Sequence, residues 1–210
     1  MEKPSLGFIG GGRVTRIILE GFTRKGLIFP EVVVSDLDQE VLARLREKFP
    51  VVRISPGDNK APAGCDVVFL ALHPPACTAA LDEIKETLKP GAVLISLAPK
   101  ITTARISELL RGFSRVVRMI PNAPSIVAAG FNPLIFSSAL NAQEREELKV
   151  LFDALGSCPE VPEKDLEAYA ILAAGDVMDL IPVKPLKDDE EEIRSRFRQR
   201  LGPLYEKIKP

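Results

Sequence analysis

Residues 7–22 read GFIGGGRVTRIILEGF and place three consecutive glycines between an apolar run and a segment with helical periodicity. Residues 6–9 have the composition of a strand, and apolar residues recur at helical spacing after the glycines, at Val14, Ile17, Ile18 and Phe22. Because each glycine costs a strand or helix roughly 0.5 to 1 kcal/mol relative to alanine, the run indicates unusual backbone angles or a close approach. A turn into a helix also offers free N–H groups and the positive end of the helix dipole, which suit a diphosphate.

The glycine turn fits the pattern G-x-G-x-x-G/A of dinucleotide-binding proteins, with Gly10 at the tight turn, Gly12 facing the diphosphate and Thr15 in place of the third glycine. A second strand, residues 31–35 (EVVVS), is followed by Asp36, whose carboxylate is suited to accept hydrogen bonds from ribose hydroxyls. The spacing predicts a dinucleotide site, and the alternative is an ordinary turn of an α/β protein. Asp36 would repel a 2′-phosphate and favours NAD(H) over NADP(H), whereas Arg13 in the first helical turn is able to bind the diphosphate or a 2′-phosphate.

Composition narrows the class of protein. The 210 residues are 46% hydrophobic and 27% charged, with a net charge of -1, which argues against nucleic-acid and membrane partners. No apolar run approaches the roughly 20 residues of a membrane span, and no charged-then-apolar leader is seen, so we expect a cytoplasmic protein. The cysteines (Cys65, Cys77 and Cys158) lack metal-ligand spacing and there is a single histidine, so no metal site or disulfide framework is expected.

Strand and helix signals alternate along most of the chain. Further strands are predicted at residues 51–54, 66–72, 92–98, 115–120, 131–137 and 158–161. This predicts a Rossmann-like, doubly wound α/β fold with a mostly parallel sheet of about eight strands and a ligand crevice at their carboxyl ends. We expect a dinucleotide-binding domain over residues 1–162 and a short helical C-terminal segment over residues 163–210. The apolar stripe of that segment, Ile193, Phe197 and Leu201, is expected to pack on the sheet domain or to form a homodimer.

Three more stretches lie at predicted strand ends: ALHPP from Ala71, SLAPKIT from Ser96 and RMIPNAPSIVAAG from Arg118. With the glycine turn they resemble pyrroline-5-carboxylate reductase in order and spacing, over residues 5 to about 172, most specifically through PNAPS at residues 121–125. The resemblance implies reduction of a small cyclic imine, a pyrroline carboxylate, to proline by hydride transfer from a nicotinamide cofactor. It also implies that Asn59 contacts the adenosine side.

Candidate site residues follow from strand ends and from this resemblance, and no catalytic residue is assigned. His73 and Pro74 follow a buried strand and are placed to flank the nicotinamide. Asn122, between two prolines, is suited to present its amide to a carboxylate or carboxamide, the alternative being a simple proline turn. The predicted cofactor-binding residues are Gly10, Gly11, Gly12, Arg13, Val14, Asp36, Asn59, Ala71, Leu72, His73, Pro74, Ser96 and Ala98. The predicted substrate pocket contains His73, Asn122, Pro124 and Ser125.

The sequence also departs from the family pattern. His73 replaces the lysine of A-V-K-P, and Pro99, Lys100 and Ile101 replace the turn A-G-V. The family motif S-G-S-G-P-A-Y aligns with AAGDVMD at residues 173–179, which has no hydroxyl group. Two functions therefore stay open: a NAD(P)H-dependent reductase of a small cyclic imine or related carbonyl compound, and a dinucleotide-binding sensor or regulatory protein without turnover.

Overall fold

A seven-stranded sheet forms the centre of the protein in the computed structural model, which describes residues 3–171. In chain order, the strands of this range are β1 (Leu6–Ile9), β2 (Val32–Asp36), β3 (Val52–Pro56), β4 (Val67–Leu70), β5 (Val93–Ser96), β6 (Val116–Met119), β7 (Gly130–Phe131), β8 (Leu134–Phe136) and β9 (Gly156–Ser157). The α-helices are α1 (Arg13–Arg24), α2 (Gln39–Lys48), α3 (Lys60–Ala63), α4 (Pro74–Ile84), α5 (Thr103–Leu109) and α6 (Ala142–Phe152).

The spatial order of the central sheet is β3-β2-β1-β4-β5-β6-β8. Strands β1 to β6 pair in parallel, and β8 pairs with β6 in the antiparallel direction. The order reverses beside β1, which lies between β2 and β4, and this is the topological switch point at which doubly wound sheets open a crevice. The predicted Rossmann-like fold with a mostly parallel sheet is confirmed.

The last strands differ from the prediction, which gave about eight strands in one sheet. Residues 131–137 were expected to form one strand, but Asn132 and Pro133 separate β7 from β8. Proline has no N–H to donate to a ladder, and the two strands join different sheets. Residues 158–161 meet the central sheet only at an isolated bridge between Leu134 and Glu160, while β9 pairs with β7 in a separate two-stranded sheet.

Both faces of the central sheet are buried, which explains why its strands read as nearly continuous apolar runs. On one face, Phe8 stacks on Phe69 with ring centroids 4.5 Å apart, and side chains from α1, α2 and α6 cover them. On the other face, Ile9 and Leu70 belong to a second cluster that includes residues of α4 and α5. Strands β1, β2, β4, β5 and β6 therefore contribute alternate side chains to two separate cores.

The compact unit that contains the sheet extends to Ala170. A short 3-10 helix, Glu163–Asp165, begins its last described part. The segment AAGDVMD, the apolar stripe and the homodimer contacts all fall outside the described residues, and the division after residue 162 stays a prediction. Between residues 3 and 171, no helix is long and apolar enough to cross a membrane.

Candidate functional site

The glycine turn connects β1 to α1 at the switch point, and Gly10 is the residue that makes this turn possible. Its φ of 101° lies in a region that L-residues rarely adopt, and a Cβ there would lie 2.5 Å from the carbonyl oxygen of Ala71. The N–H of Gly10 donates to the carbonyl of Ser35, 2.8 Å away at the end of β2. Gly10 is therefore required by the fold, because it lets β1 end between the loops that follow β2 and β4.

Gly12 has a different role, because neither its backbone angles nor its neighbours exclude a side chain. It is the N-cap of α1 with φ -68°, and a Cβ there would meet nothing within 4 Å. Gly12 supplies no capping side chain, so the first N–H groups of α1 have no side-chain partner at the N-cap. The first turn of α1 contains no acidic residue, and Arg13 and Arg16 are exposed there. These features give the turn the shape and the positive potential that a diphosphate requires.

Thr15 occupies the third glycine position of the pattern. It is completely buried, and its Oγ1 donates to the carbonyl oxygen of Gly10 at 2.6 Å. The hydroxyl thereby satisfies a buried carbonyl and holds the turn closed. Close packing of α1 relies instead on Gly21, where a Cβ would lie 2.8 Å from the carbonyl oxygen of Ser125.

Asp36, at the end of β2, holds its carboxylate beside the glycine turn. Its Oδ2 accepts from the Gly11 N–H at 2.7 Å, and its Oδ1 accepts from the Asp38 N–H at 2.9 Å. Each oxygen keeps acceptor capacity for a further donor such as a ribose hydroxyl. Asp38 and Asp58 are exposed near the ends of β2 and β3, and Asp36 pairs with Pro56 between those strands. This corner of the crevice is therefore acidic.

Asn59 lies close to Asp36, and its side chain is already engaged. Its Oδ1 accepts from the hydroxyl of Ser35 at 2.8 Å, and its Nδ2 donates to Glu83 Oε2 at 2.8 Å. Asn59 thus ties the end of β2 to α4. One N–H of its amide is left for another acceptor, and the predicted contact with adenosine stays a prediction.

The opposite wall of the crevice is the loop between β4 and α4. Ala71 donates its N–H to the carbonyl of Ile9 at 2.8 Å, which fixes this loop against the end of β1. Leu72 is half-buried, His73 is the exposed N-cap of α4, and Pro74 is the first helical residue. The predicted residues 71–74 therefore lie together beside the glycine turn. Cys77 lies below them, and burial raises the pKa of its thiol to about 11, which makes it unreactive.

Ser96 and Ala98, at the end of β5, were predicted to contact the cofactor, and both are buried, each 1% exposed. Ser96 pairs with Leu70 and Arg118 across the sheet, on the face covered by α4 and α5. Its hydroxyl has no hydrogen-bond partner among the residues described. Both side chains are buried, so a contact with the cofactor would involve backbone atoms of this loop, and the predicted contact stays a prediction.

The loop after β6 is braced by a buried asparagine that sequence reasoning missed. Asn132 Oδ1 accepts from the Asn122 N–H at 3.1 Å and from the Ser125 hydroxyl at 2.7 Å. Asn122 Oδ1 accepts from the Phe131 N–H at 3.1 Å, which leaves its Nδ2 without a partner in the described part of the chain. Pro124 lies within the 3-10 helix Ala123–Val127. Ser125 is completely buried and its hydroxyl donates to Asn132, so it supports the loop, and its predicted place in a substrate pocket stays a prediction.

Arg118 is the second residue that sequence reasoning missed. It lies on β6, is 1% exposed, and forms ion pairs with Glu163 at 3.0 Å and Glu167 at 2.6 Å. Burial acts to raise the pKa of Glu167, but hydrogen bonds from the Lys100 N–H and from Arg118 outweigh it and lower this pKa below its ordinary value. The run RVVRM predicted a strand, but it gave no signal that Arg118 pairs with glutamates 45 and 49 residues later. Within residues 3–171, no group of three or more His, Cys, Asp or Glu side chains is placed to hold a metal ion.

The fold and the crevice together define a Rossmann-fold protein with a dinucleotide-type turn at its switch point. Residues 5–100 match the family model described as "NADP oxidoreductase coenzyme F420-dependent". Pyrroline-5-carboxylate reductase 3 of Xenopus laevis is 32% identical over 167 residues, which are 78% of this chain and 60% of that protein. A solved pyrroline-5-carboxylate reductase from Coxiella burnetii is 25% identical, with a TM-score of 0.75 over 100% of this chain and 82% of that chain.

A pyrroline carboxylate reductase from Plasmodium falciparum, solved with NADP bound, is 21% identical with a TM-score of 0.73, and covers 86% of this chain and 66% of its own. At this identity the likeness shows the fold alone. Taken together, these matches show that the chain is similar to pyrroline-5-carboxylate reductases over most of its length. The chain spans between 54% and 68% of the length of the curated relatives it matches.

Proposed function

We propose that the protein is a NAD(P)H-dependent oxidoreductase that reduces a small cyclic imine or a related carbonyl compound. The observation that carries this proposal is the open space in front of Gly12, at the N-terminus of α1, with the carboxylate of Asp36 fixed 2.7 Å from the Gly11 N–H. The turn fits a diphosphate, and the carboxylate fits the ribose next to it. The similarity to known proteins supports the same reading, because the named relatives are pyrroline-5-carboxylate reductases.

The proposed cofactor preference is NAD(H) over NADP(H). A 2′-phosphate adds a charge of about -1.5 to -2 at neutral pH and would lie beside the ribose site at Asp36. Asp38 and Asp58 make the same corner more acidic, which raises the repulsion. Arg13, exposed at the start of α1, favours the opposite choice, since its guanidinium is able to pair with a 2′-phosphate.

When bound, the cofactor supplies a hydride, and the residues of this chain bind and orient the reactants. The N–H groups of α1 and Asp36 would hold the diphosphate and ribose, which places the nicotinamide toward the loops after β4 and β5. His73, exposed in the first of these loops, would flank the nicotinamide. The free Nδ2 of Asn122 would donate to a carboxamide or substrate carboxylate, on a loop that Pro121 and Pro124 make rigid.

A second candidate is a dinucleotide-binding sensor or regulatory protein without turnover. It is favoured by residues 173–179, where AAGDVMD lacks the hydroxyl groups of the family motif. The cofactor site would be the same in both functions. The two functions differ only in whether a substrate is bound and reduced, so cofactor binding and turnover have to be measured separately.

The test is a titration with NADH and NADPH, followed by an assay of cofactor oxidation with pyrroline-5-carboxylate. We expect NADH to bind more tightly than NADPH, and Asp36→Asn to weaken NADH by about tenfold while NADPH changes less. The matched control is Asp82→Asn, which changes an exposed aspartate on α4 that pairs with Lys85. It should leave the affinities for NADH and NADPH unchanged. Absence of binding by either cofactor would refute the proposal, and binding without oxidation would favour the sensor.

We also propose that the protein is cytoplasmic and that it forms a homodimer through the segment after residue 162. Size-exclusion chromatography with light scattering tests the homodimer, and a monomer at micromolar concentration would contradict it.

A further inference from the structure

Arg118 is a charged side chain in the core of a parallel sheet, and its surroundings explain how it is tolerated. It lies on the face of β6 that α5 covers, next to Ser96 of β5. A buried guanidinium is stable only when it is paired and hydrogen-bonded. Glu163 and Glu167 supply the pairing, at 3.0 and 2.6 Å, and both come from the segment that follows the last strand.

The two glutamates also bind the backbone of the loop between β5 and α5. Glu163 accepts from the N–H of Thr103 at 2.8 Å and from its hydroxyl at 3.1 Å. Glu167 accepts from the N–H of Lys100 at 2.8 Å with the same Oε1 that pairs with Arg118. The loop of residues 98–103 is therefore held at Lys100 and at Thr103 by carboxylates that pair with Arg118.

Lys100 shows why this loop needs such support. Its φ is 65°, in the left-handed region that residues other than glycine, asparagine and aspartate rarely adopt. The hydrogen bond from its N–H to Glu167 is the contact that stabilises this conformation. The loop begins at Ala98, two residues after the end of β5, and β5 pairs with β4, whose own end leads to His73.

We propose that Arg118, Glu163 and Glu167 are positioning residues that shape the loop of residues 98–103 to receive the nicotinamide half of the cofactor. This inference rests on the proposed function, since it assumes that a dinucleotide occupies the crevice. The three residues do not touch the cofactor themselves. They act through the backbone of Lys100 and Thr103, and the adenosine half of the site, at Asp36 and the glycine turn, is independent of them.

That independence gives the test, because ADP-ribose fills the adenosine half and the diphosphate turn but has no nicotinamide. Affinities for NADH and for ADP-ribose are measured on the full chain and on Glu167→Ala. We expect Glu167→Ala to weaken NADH by about fivefold to tenfold and to change ADP-ribose by less than about twofold. Glu167→Gln keeps an oxygen that is able to accept from Lys100 and should retain most of the NADH affinity.

The matched control is Glu108→Ala, which removes an exposed glutamate of α5 that pairs with Arg105 and does not contact the loop. Thermal unfolding of each variant separates loss of fold from loss of binding. Equal loss of both ligands in Glu167→Ala, or loss of neither, would overturn the inference while leaving the proposed function intact. Failure of the unaltered protein to bind either ligand would overturn both.

Hydrogen exchange supplies a measurement on the unaltered chain that does not depend on how any variant folds. The N–H groups of Lys100 and Thr103 should exchange slowly, and NADH should slow them further while ADP-ribose does not. Equal protection by the two ligands would contradict a role at the nicotinamide end.

Discussion

Replacing Gly10 or Gly12 by alanine adds one methyl group to the same turn, yet the structure predicts opposite consequences for stability and binding. At Gly10 the φ of 101° costs an alanine about 1 to 2 kcal/mol. Its methyl group would also lie 2.5 Å from the Ala71 carbonyl oxygen and 3.0 Å from Leu72 Cδ2, and relief of such overpacking costs about 1 to 3 kcal/mol more. The sum, about 2 to 5 kcal/mol, is a large part of the roughly 5 to 15 kcal/mol that stabilises a domain.

At Gly12 the angles are ordinary and the space is open, so the fold should tolerate alanine. The weaker N-cap preference of alanine costs at most about 1 kcal/mol, and a less flexible unfolded chain offsets part of it. The methyl group would instead occupy the space in which the diphosphate has to approach α1. We expect NADH affinity to fall at least about tenfold, which corresponds to about 1.4 kcal/mol of binding free energy.

Urea unfolding and a fluorescence titration with NADH measure the two effects on the same samples. Gly26→Ala is the control for backbone strain alone, because Gly26 has a φ of 67° with nothing within 4 Å of a Cβ. It should lose only about 1 to 2 kcal/mol and keep full affinity. NADH affinity in Gly12→Ala equal to that of the unaltered protein would refute the placement of the diphosphate. Unchanged stability in Gly10→Ala would refute the account of the turn.

Two further predictions concern single buried or paired groups. Thr15→Val removes the donor to the buried carbonyl of Gly10 and should lower the free energy of unfolding by about 1 to 3 kcal/mol; no change in urea unfolding would show that the 2.6 Å hydrogen bond is not stabilising. Hydrogen bonds from Lys89 and then from Ser5 lower the pKa of Asp66 to about 2, so its pairing stabilises the fold above pH 4 and is lost as the pH falls toward 2. Asp66→Asn should therefore be less stable than the unaltered protein at pH 6, by no more than about 1 kcal/mol because the ion pair is half-exposed. Near pH 2 the two proteins should be equally stable. A difference in stability that persists at pH 2 would contradict this prediction.

The first six strands could be predicted to within about two residues because their signal is local. Strands buried on both faces read as unbroken apolar runs, and the glycine turn and Asp36 mark strand ends by their chemistry. The prediction for the region after β6 was wrong, and the reason is also physical. Asn132 interrupts an apolar run of strand-like residues, and its side chain is committed to a loop ten residues earlier, a contact that no periodicity records.

In the candidate site, too, the sequence predicted features that adjacent residues determine and missed features that depend on residues far away in the chain. The glycine turn was predictable because the cost of glycine and the need for free N–H groups lie in adjacent residues. The burial of the Ser96 and Ser125 side chains was not predictable, because position near a strand end does not tell whether a hydroxyl faces the crevice or the core. Arg118 was missed because the glutamates that make its burial possible are far away in the sequence.

The ion pairs of Arg118 also link the stability of β6 to a segment that comes later in the chain. Without residues 163–167, Arg118 of β6 would lack both of its counter-charges, and breaking a buried ion pair costs about 3 to 5 kcal/mol. Strand β6 is therefore expected to dock stably only after this later segment has left the ribosome. A fragment that stops before Glu163 would contain every strand of the central sheet. It would still lack the two glutamates that pair with Arg118 when β6 docks in the sheet.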